Sequence, residues 1–304
     1  MLGRALLRRL SQMPETSVLA FYRQPVANAP SVPNISAVQV DPNDSDTVGS
    51  ALREFQPTIF IHPAATGMQV PRPDEQAMTR ANVELPVKLM QEVARLDQCR
   101  FVQVSSGLAY QDQGRPLRED DPLKTDHPYA ASKAAAETQL RQFASDNGVA
   151  LTIVRPFSFT GPGDFGTRLF PALLQSAAQK EAFPMSPGNQ ARDHASVDDI
   201  ATGLLAAARW RGNEEPAIFN LGSGDTRTLR QLVTSVVAEM DLKIELEFGA
   251  RPHVPNEPKV LVADTSRARG QLNWSATENV AHAVWRLARE SFPMLKVSEP
   301  SPAR

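Results

Sequence analysis

The chain of 304 residues has little cysteine, little net charge and no long apolar run, and each shortage excludes a class of protein. The single cysteine, Cys99, excludes an internal disulfide and a multi-cysteine metal site, and it fits a reducing cytoplasm. A formal net charge of −2 excludes a general attraction to nucleic acid or to a membrane surface. No apolar run approaches the ~18 residues that span a bilayer. The five histidines lack metal-ligand spacing, so we expect no metal site.

What the chain does have is a hydrophobic fraction of 41%, enough at this length for one α/β unit and a smaller lobe. Strand patterns alternate with helical patterns. The strands are predicted at 17–21, 37–40, 58–61, 101–105, 151–155 and 217–221, and the helices at 3–10, 47–55, 78–96, 129–145 and 198–210. This alternation indicates a doubly wound parallel sheet, whose ligands bind at the carboxyl ends of the strands.

Three residues suggest chemistry at such an end. Tyr129 and Lys133 are four apart in a helical pattern, so the phenol and the ammonium share one face. We expect the lysine to lower the pKa of the tyrosine and make it a usable acid–base group. Ser106, after a predicted strand, could hold the oxygen of an alcohol or ketone against the phenol. Together they would serve hydride transfer at an oxygen-bearing carbon, whereas the pair alone could be two solvated side chains on an exposed helix.

Nine short motifs follow one another in the order of a known family, and the likeness to that family runs from Gly3 to about Arg289. They include Ile61-His-Pro-Ala-Ala65, Asn82-Val83, Val104-Ser-Ser106, Tyr129-x-x-x-Lys133, Arg155-Pro-Phe-Ser-Phe-Thr-Gly-Pro-Gly163, Arg192-Asp193 with Val197-Asp-Asp199, Asn220-Leu-Gly-Ser-Gly224, Asp264-Thr-Ser266 and Leu272-Asn-Trp274. The chain resembles the extended short-chain dehydrogenases/reductases, the NAD-dependent epimerase/dehydratase family of nucleotide-sugar enzymes. The resemblance implies a Rossmann-like fold, a dinucleotide cofactor and a nucleotide-sugar substrate.

The resemblance also implies roles for single residues. Tyr129 is the general acid/base, Lys133 binds the nicotinamide ribose, and Ser106 polarises the substrate oxygen. The implied cofactor-binding residues are Gly3, Arg23, Asp41, Ala64, Ala65, Asn82, Tyr129, Lys133 and Pro156, and the implied substrate-binding residues are Ser106, Ser158, Arg192 and Arg251. Arg192 and Arg251 would hold the substrate diphosphate, a task suited to fork-shaped donors.

Several of these assignments have alternatives. Arg23 follows the second family strand, where arginine favours the 2′-phosphate of NADP over NAD, yet it could be a surface arginine without a ligand. Asp41 would accept the adenine amino group, or it could cap the helix predicted from Thr47. Arg192 could instead be an ion-pair partner of Asp198 or Asp199.

The start of the chain departs from the family pattern. Such sheets begin with an apolar strand and a G-x-x-G-x-x-G turn that receives the pyrophosphate. By resemblance, Gly3 is the last glycine of that turn and Ala5–Leu10 its helix, so the first strand and two glycines are missing. We expect the reading frame to continue upstream for about ten codons that supply them. The alternative is an Arg-rich presequence over Met1–Met13.

Two further departures from the family pattern reduce the number of reactions that we expect of this chain. Gly107 and Leu108 stand where 4,6-dehydratases carry a carboxylate pair, so dehydration is not expected. Ser158 stands where many epimerases have asparagine. The run from Arg155 to Gly163, together with Val104-Ser-Ser-Gly-x-x-Tyr110, is most similar to reductases of 4-keto-6-deoxy sugar nucleotides, such as GDP-4-keto-6-deoxymannose reductases. We therefore expect ketone reduction with NADPH, with a 4-epimerase that holds NAD tightly or a truncated non-catalytic cofactor-binding protein as alternatives.

The organisation implied by the resemblance is a dinucleotide-binding domain and a substrate-binding lobe. We assign residues 1–156 to the first, which also receives about 192–222, and residues 157–191 and 223–304 to the lobe. The family commonly pairs the helices at 78–96 and 129–145 across a two-fold axis. We therefore expect a homodimer built on them.

Overall fold

The computed structural model describes residues 1–23, 32–41, 44–67, 74–124, 126–212, 216–253 and 257–303. The helices are α1 (Leu2–Leu10), α2 (Ser45–Phe55), α3 (Glu75–Thr79), α4 (Leu85–Val93), α5 (Pro128–Asn147), α6 (Leu169–Gln179), α7 (Val197–Arg209), α8 (Leu229–Glu239), α9 (Ser266–Leu272) and α10 (Val280–Ser291). The strands are β1 (Val18–Tyr22), β2 (Ile35–Gln39), β3 (Ile59–His62), β4 (Arg100–Val104), β5 (Leu151–Pro156), β6 (Ser158–Thr160), β7 (Phe183–Met185), β8 (Ala191–Arg192), β9 (His194–Ser196), β10 (Ala217–Leu221), β11 (Leu246–Phe248) and β12 (Val260–Leu261).

The central sheet is parallel and confirms the predicted doubly wound α/β class. β10, β5, β4 and β3 are hydrogen-bonded in that order, and β1 and β2 form a separate parallel pair. Within the described residues no ladder joins β1 to β3. In a doubly wound sheet the family's first strand lies between its second and fourth, which correspond here to β1 and β3. The break in the sheet therefore lies where the sequence predicted a missing strand.

Helices cover both faces of the sheet because each presents an apolar stripe. On one face, Leu2, Leu6 and Leu10 of α1 pack with α7 against Val104 and Phe219 of the sheet. The residues of α2, α4 and α5 form a second core with the opposite face. Across the break, the rings of Phe21 in β1 and Phe60 in β3 lie 6.4 Å apart.

A third core lies beyond the sheet. It joins α6, α8 and α10, with Leu173, Val233 and Val284 among its buried residues. Short parallel pairs, β6 with β9, β7 with β11 and β8 with β12, connect this lobe to the carboxyl end of the sheet. No helix in the described ranges has the length and apolar character that a membrane span requires.

Two predicted helices differ in detail. The helix expected at 78–96 is α3 and α4 joined by a π-helical turn, Arg80–Glu84. The helix expected from Thr47 begins at Ser45, and its cap is Asp44, whose carboxylate accepts a hydrogen bond from the Thr47 amide. Asp41 is therefore not the cap of this helix, and that alternative is wrong.

Candidate active site

The Tyr129 and Ser106 hydroxyls meet at the carboxyl end of β4. Tyr129 lies in the first turn of α5, which begins at Pro128, and its side chain is 6% exposed. Ser106 follows β4, and its hydroxyl also accepts a hydrogen bond from the Leu108 amide at 3.2 Å. The Ser106 hydroxyl faces the phenol closely enough to lower its pKa. The alternative of two solvated side chains is wrong, since Tyr129 and Lys133 are both buried.

Lys133 lies behind this pair and points at the sheet. Its Nζ donates a hydrogen bond to the carbonyl of Val104 at 2.9 Å, and the side chain is 2% exposed. Burial lowers the pKa of Lys133 to about 8, although the nearby Glu137 carboxylate opposes the shift. The ammonium therefore keeps its charge at neutral pH with a small margin.

The expected lowering of the tyrosine pKa by Lys133 is corrected by the structure. Burial raises the pKa of Tyr129 to about 12, and the Ser106 hydroxyl and the charge of Arg168 lower it only in part. The ammonium of Lys133 is held by Val104, so sharing a helix face with Tyr129 does not bring it to the phenol. Tyr129 is thus a protonated phenol in this structure.

Asn82 ties this site to the loop after β3. The π-helical turn places its amide so that Nδ2 donates to the Thr66 carbonyl at 2.9 Å and to the Ser132 hydroxyl at 3.0 Å. Its Oδ1 accepts from the Thr66 amide at 2.9 Å. Ser132 in turn donates to the Tyr129 carbonyl at 2.8 Å. Asn82 therefore joins the loop that carries Ala64 and Ala65 to the first turn of α5.

A buried network that the sequence analysis did not find fixes α5 to the sheet. The Arg155 guanidinium makes a bidentate ion pair with Glu137 of α5, at 3.0 and 2.5 Å. It also donates to the Tyr110 hydroxyl at 2.6 Å, which donates to Asn220 of β10 at 2.7 Å. Burial raises the pKa of Tyr110. Arg155 and Asn220 both lie in motifs that the family shares, so these motifs could have pointed to the network.

The other residues assigned to the cofactor lie along the carboxyl end of the strands. A Cβ on Gly3 would be 4.0 Å from Pro63, so Gly3 borders the loop after β3. Pro156 ends β5 and is buried. Arg23 and Asp41 follow β1 and β2, are exposed, and lie across the break from the Tyr129 site.

The polar groups at this edge suit a dinucleotide. His62 Nε2 and the Ser105 hydroxyl are buried at the ends of β3 and β4 and have no hydrogen-bond partner among the described residues. Buried polar groups without partners are costly, so a polar ligand here would be favoured. The edge is also where doubly wound sheets bind dinucleotides.

The residues assigned to the substrate lie in the lobe and its connections. Ser158 of β6 is the register partner of His194 in β9. Arg192 is 8% exposed and pairs with Glu257 at 2.6 Å. Arg251 is exposed, and its backbone amide donates to the Met185 carbonyl at 3.0 Å. Among the described residues, neither Arg192 nor Arg251 makes a hydrogen bond or an ion pair with Tyr129.

The suggested ion pair of Arg192 with Asp198 or Asp199 is wrong. Asp198 binds Arg8 and Arg286 instead. Asp199 accepts hydrogen bonds from the amides of residues 277 and 278.

Comparisons with known proteins place the chain among nucleotide-sugar enzymes. The sequence profile of the NAD dependent epimerase/dehydratase family matches residues 1–222. A UDP-glucuronate 4-epimerase of Thermodesulfobacterium geofontis is 26% identical over 272 residues, 86% of this chain and 82% of that protein. A dTDP-4-dehydro-6-deoxyglucose reductase of Escherichia coli is 27% identical over 177 residues, 57% of this chain and 55% of the reductase. Among solved structures, MoeE5 in complex with UDP-glucuronic acid and NAD has a TM-score of 0.84 at 22% identity, covering 97% of this chain and 96% of that chain.

Proposed function

Because this chain belongs to the NAD-dependent epimerase/dehydratase family, we propose that it reduces the ketone of a 4-keto-6-deoxy sugar nucleotide. NADPH would be the hydride donor and Tyr129 the proton donor. The observation that carries this proposal is the buried Tyr129 phenol, which lies beside the Ser106 hydroxyl at the carboxyl end of the parallel sheet. The similarity to the Escherichia coli reductase supports the reaction.

The protonation state of Tyr129 fits the reductive direction. When bound, the nicotinamide supplies a hydride to the ketone carbon, and the ketone oxygen then needs a proton. A pKa of about 12 keeps the Tyr129 proton in place at neutral pH until that demand arises. The Ser106 hydroxyl would hold the ketone oxygen beside the phenol. This hydroxyl and the charge of Arg168 both lower the pKa of Tyr129, so both stabilise the phenolate left behind.

The surroundings of Ser106 argue against elimination of water. A 4,6-dehydratase needs carboxylates directly after its hydroxyl residue, and this chain has Gly107 and Leu108 there. A Cβ on Gly107 would lie 2.8 Å from the Phe157 ring, too close for any side chain. Position 107 therefore has no space for a carboxylate unless Phe157 moves.

A 4-epimerase with tightly held NAD is the second candidate. The relative that matches over 86% of this chain is a 4-epimerase, whereas the matched reductase covers 57% of it. The same hydroxyl pair would serve both reactions, since an epimerase oxidises C4 and then reduces it again. The two candidates differ in cofactor exchange, because a reductase must release its oxidised cofactor after each turnover.

The experiment is a substrate panel with and without added cofactor. We expect 4-keto-6-deoxy sugar nucleotides to consume NADPH, with turnover reduced roughly 10²–10⁴-fold in Tyr129→Phe, the usual contribution of a positioned acid–base group. Interconversion of 4-epimers without added cofactor, with NAD retained through purification, would favour the epimerase. No dinucleotide binding under any condition would favour a non-catalytic protein and overturn both enzymes.

The preference for NADP over NAD is proposed from Arg23. Its exposed guanidinium follows β1, at the sheet edge where family members bind the adenine ribose. We expect Arg23→Ala to raise the KM for NADPH about tenfold and to leave the KM for NADH unchanged. Arg141→Ala, an exposed arginine on α5, is the matched control. An equal change for both cofactors would remove Arg23 from their discrimination.

A further inference from the structure

We propose that His62 is a positioning residue for Lys133 and acts through Gln103 and the carbonyl of Val104. The proposal deepens the function proposed above and rests on it. His62 ends β3, and Gln103 is its register partner in β4. Register partners in a sheet project to the same face, so the β3–β4 pairing itself brings these two side chains together. Both are buried, with exposed fractions of 5% and 1%.

The hydrogen bonds fix the orientation of the Gln103 amide. The Val104 carbonyl can only accept, so Gln103 Nε2 must face it, at 2.9 Å. Gln103 Oε1 therefore faces His62 Nδ1, 3.2 Å away. Because that oxygen also only accepts, the ring proton of His62 must lie on Nδ1. The histidine thus holds the amide in the one orientation that serves Val104.

The Val104 carbonyl is the point where this chain of hydrogen bonds reaches Lys133. Its two lone pairs accept Gln103 Nε2 and Lys133 Nζ, each at 2.9 Å. Without the His62 donor, Gln103 would be free to rotate away or to present its oxygen to the ammonium. Either change would alter the groups that accept a hydrogen bond from the Lys133 ammonium. The ammonium would then shift from its position behind Tyr129.

A neutral donor is suited to this position. The ring is uncharged because burial and the neighbouring Lys133 ammonium lower the pKa of His62, to about 4. The charged group that acts on the lysine is Glu137 of α5, whose carboxylate is paired with Arg155 of β5. His62 therefore supports Lys133 without adding a second cation to the pocket.

The first test is spectroscopic and needs no substrate. The chain has seven lysines, so the NMR spectrum of protein labelled with ¹³C at lysine Cε has few signals. The Lys133 signal is identified by its loss in Lys133→Arg. We expect His62→Leu and Gln103→Leu to displace the Lys133 signal in the same way and to leave the other six in place. His62→Asn, which keeps an N–H donor near the Nδ1 position, should restore it. Gln179→Leu, an exposed glutamine on α6, is the control.

The second test is kinetic. His62→Leu should lower kcat about fivefold to tenfold, the effect of one hydrogen bond, with little change in KM. The double variant with Gln103→Leu should lose no more than either single one, since both break the same chain. A Lys133 signal unmoved in folded His62→Leu and Gln103→Leu, or additive kcat losses, would overturn the proposal. A displaced signal in a protein without activity on any nucleotide sugar would instead count against the proposed function alone.

Discussion

At the scale of single residues, the sequence predicted part of the site but not how its groups titrate. Ser106 and Tyr129 lie side by side as expected, whereas the Lys133 ammonium is held at the Val104 carbonyl and not at the phenol. The direction of the Tyr129 pKa was wrong because spacing gives no measure of burial, and burial is its largest influence. His62 and Gln103 were missed because their contact depends on strand register, which no local pattern fixes.

The buried Lys133 makes a testable contribution to stability. Its pKa is lowered from the ordinary 10.5 to about 8, so between these values the unfolded chain binds a proton that the folded chain lacks. The free energy of unfolding should therefore rise with pH across this window relative to Lys133→Met. Urea unfolding of both proteins from pH 7 to pH 10 measures the difference. A difference that stays constant with pH would contradict the shift.

At the scale of elements, the strands and helices that build the sheet could be predicted, whereas the lobe helices α6, α8 and α10 and the shortest strands were missed. The six predicted strands lie within two residues of β1 to β5 and β10, because each is an apolar run bounded by polar residues. β8 and β12 have two residues each, too few for an alternating pattern. The π-helical turn at Arg80–Glu84 was missed because one extra residue in a helix leaves almost no trace in its apolar period.

The Arg155–Glu137 ion pair should make the largest single contribution to holding α5 on the sheet. Both side chains are almost fully buried, at 3% and 2% exposure. Arg155→Met would leave the Glu137 carboxylate buried and unpaired, which should cost about 3–5 kcal/mol of unfolding free energy. Adding Glu137→Leu should recover much of that loss. Chemical denaturation checks both, and a single variant within about 1 kcal/mol of the parent would contradict this role.

At the scale of the whole molecule, the predicted class of sheet and its missing first strand account for the break between β1 and β3. The order of a doubly wound sheet depends on the connections between elements, which the alternation of patterns reveals. The lobe was predicted only in outline, because α6, α8 and α10 come together through distant parts of the chain. The ion pair of Arg192 with Glu257 in this lobe could not be predicted either, because no local sequence pattern joins two residues so far apart in the chain.

The homodimer through α3–α4 and α5 remains a prediction. The exposed surface of these helices is polar, so we expect a polar interface. The exposed residues of these helices include Glu84, Lys88, Thr138 and Gln139. The large exposed apolar side chains of the described residues, Phe165 and Met294, lie elsewhere. We expect light scattering at micromolar concentration to find a dimer, and Ala135→Glu on the exposed face of α5 to dissociate it. A parent protein that is monomeric throughout would contradict this assembly.

Hydride reduction at C4 is tested most directly by deuterium transfer. The protein is incubated with a 4-keto-6-deoxy sugar nucleotide and NADPH that carries deuterium at both C4 positions of the nicotinamide, and the product is examined by mass spectrometry and NMR. We predict one deuterium per product molecule, bonded to C4 of the sugar, with the rate reduced roughly 10²–10⁴-fold in Tyr129→Phe. A product without deuterium at C4, or an unchanged rate in Tyr129→Phe, would contradict the proposed reaction.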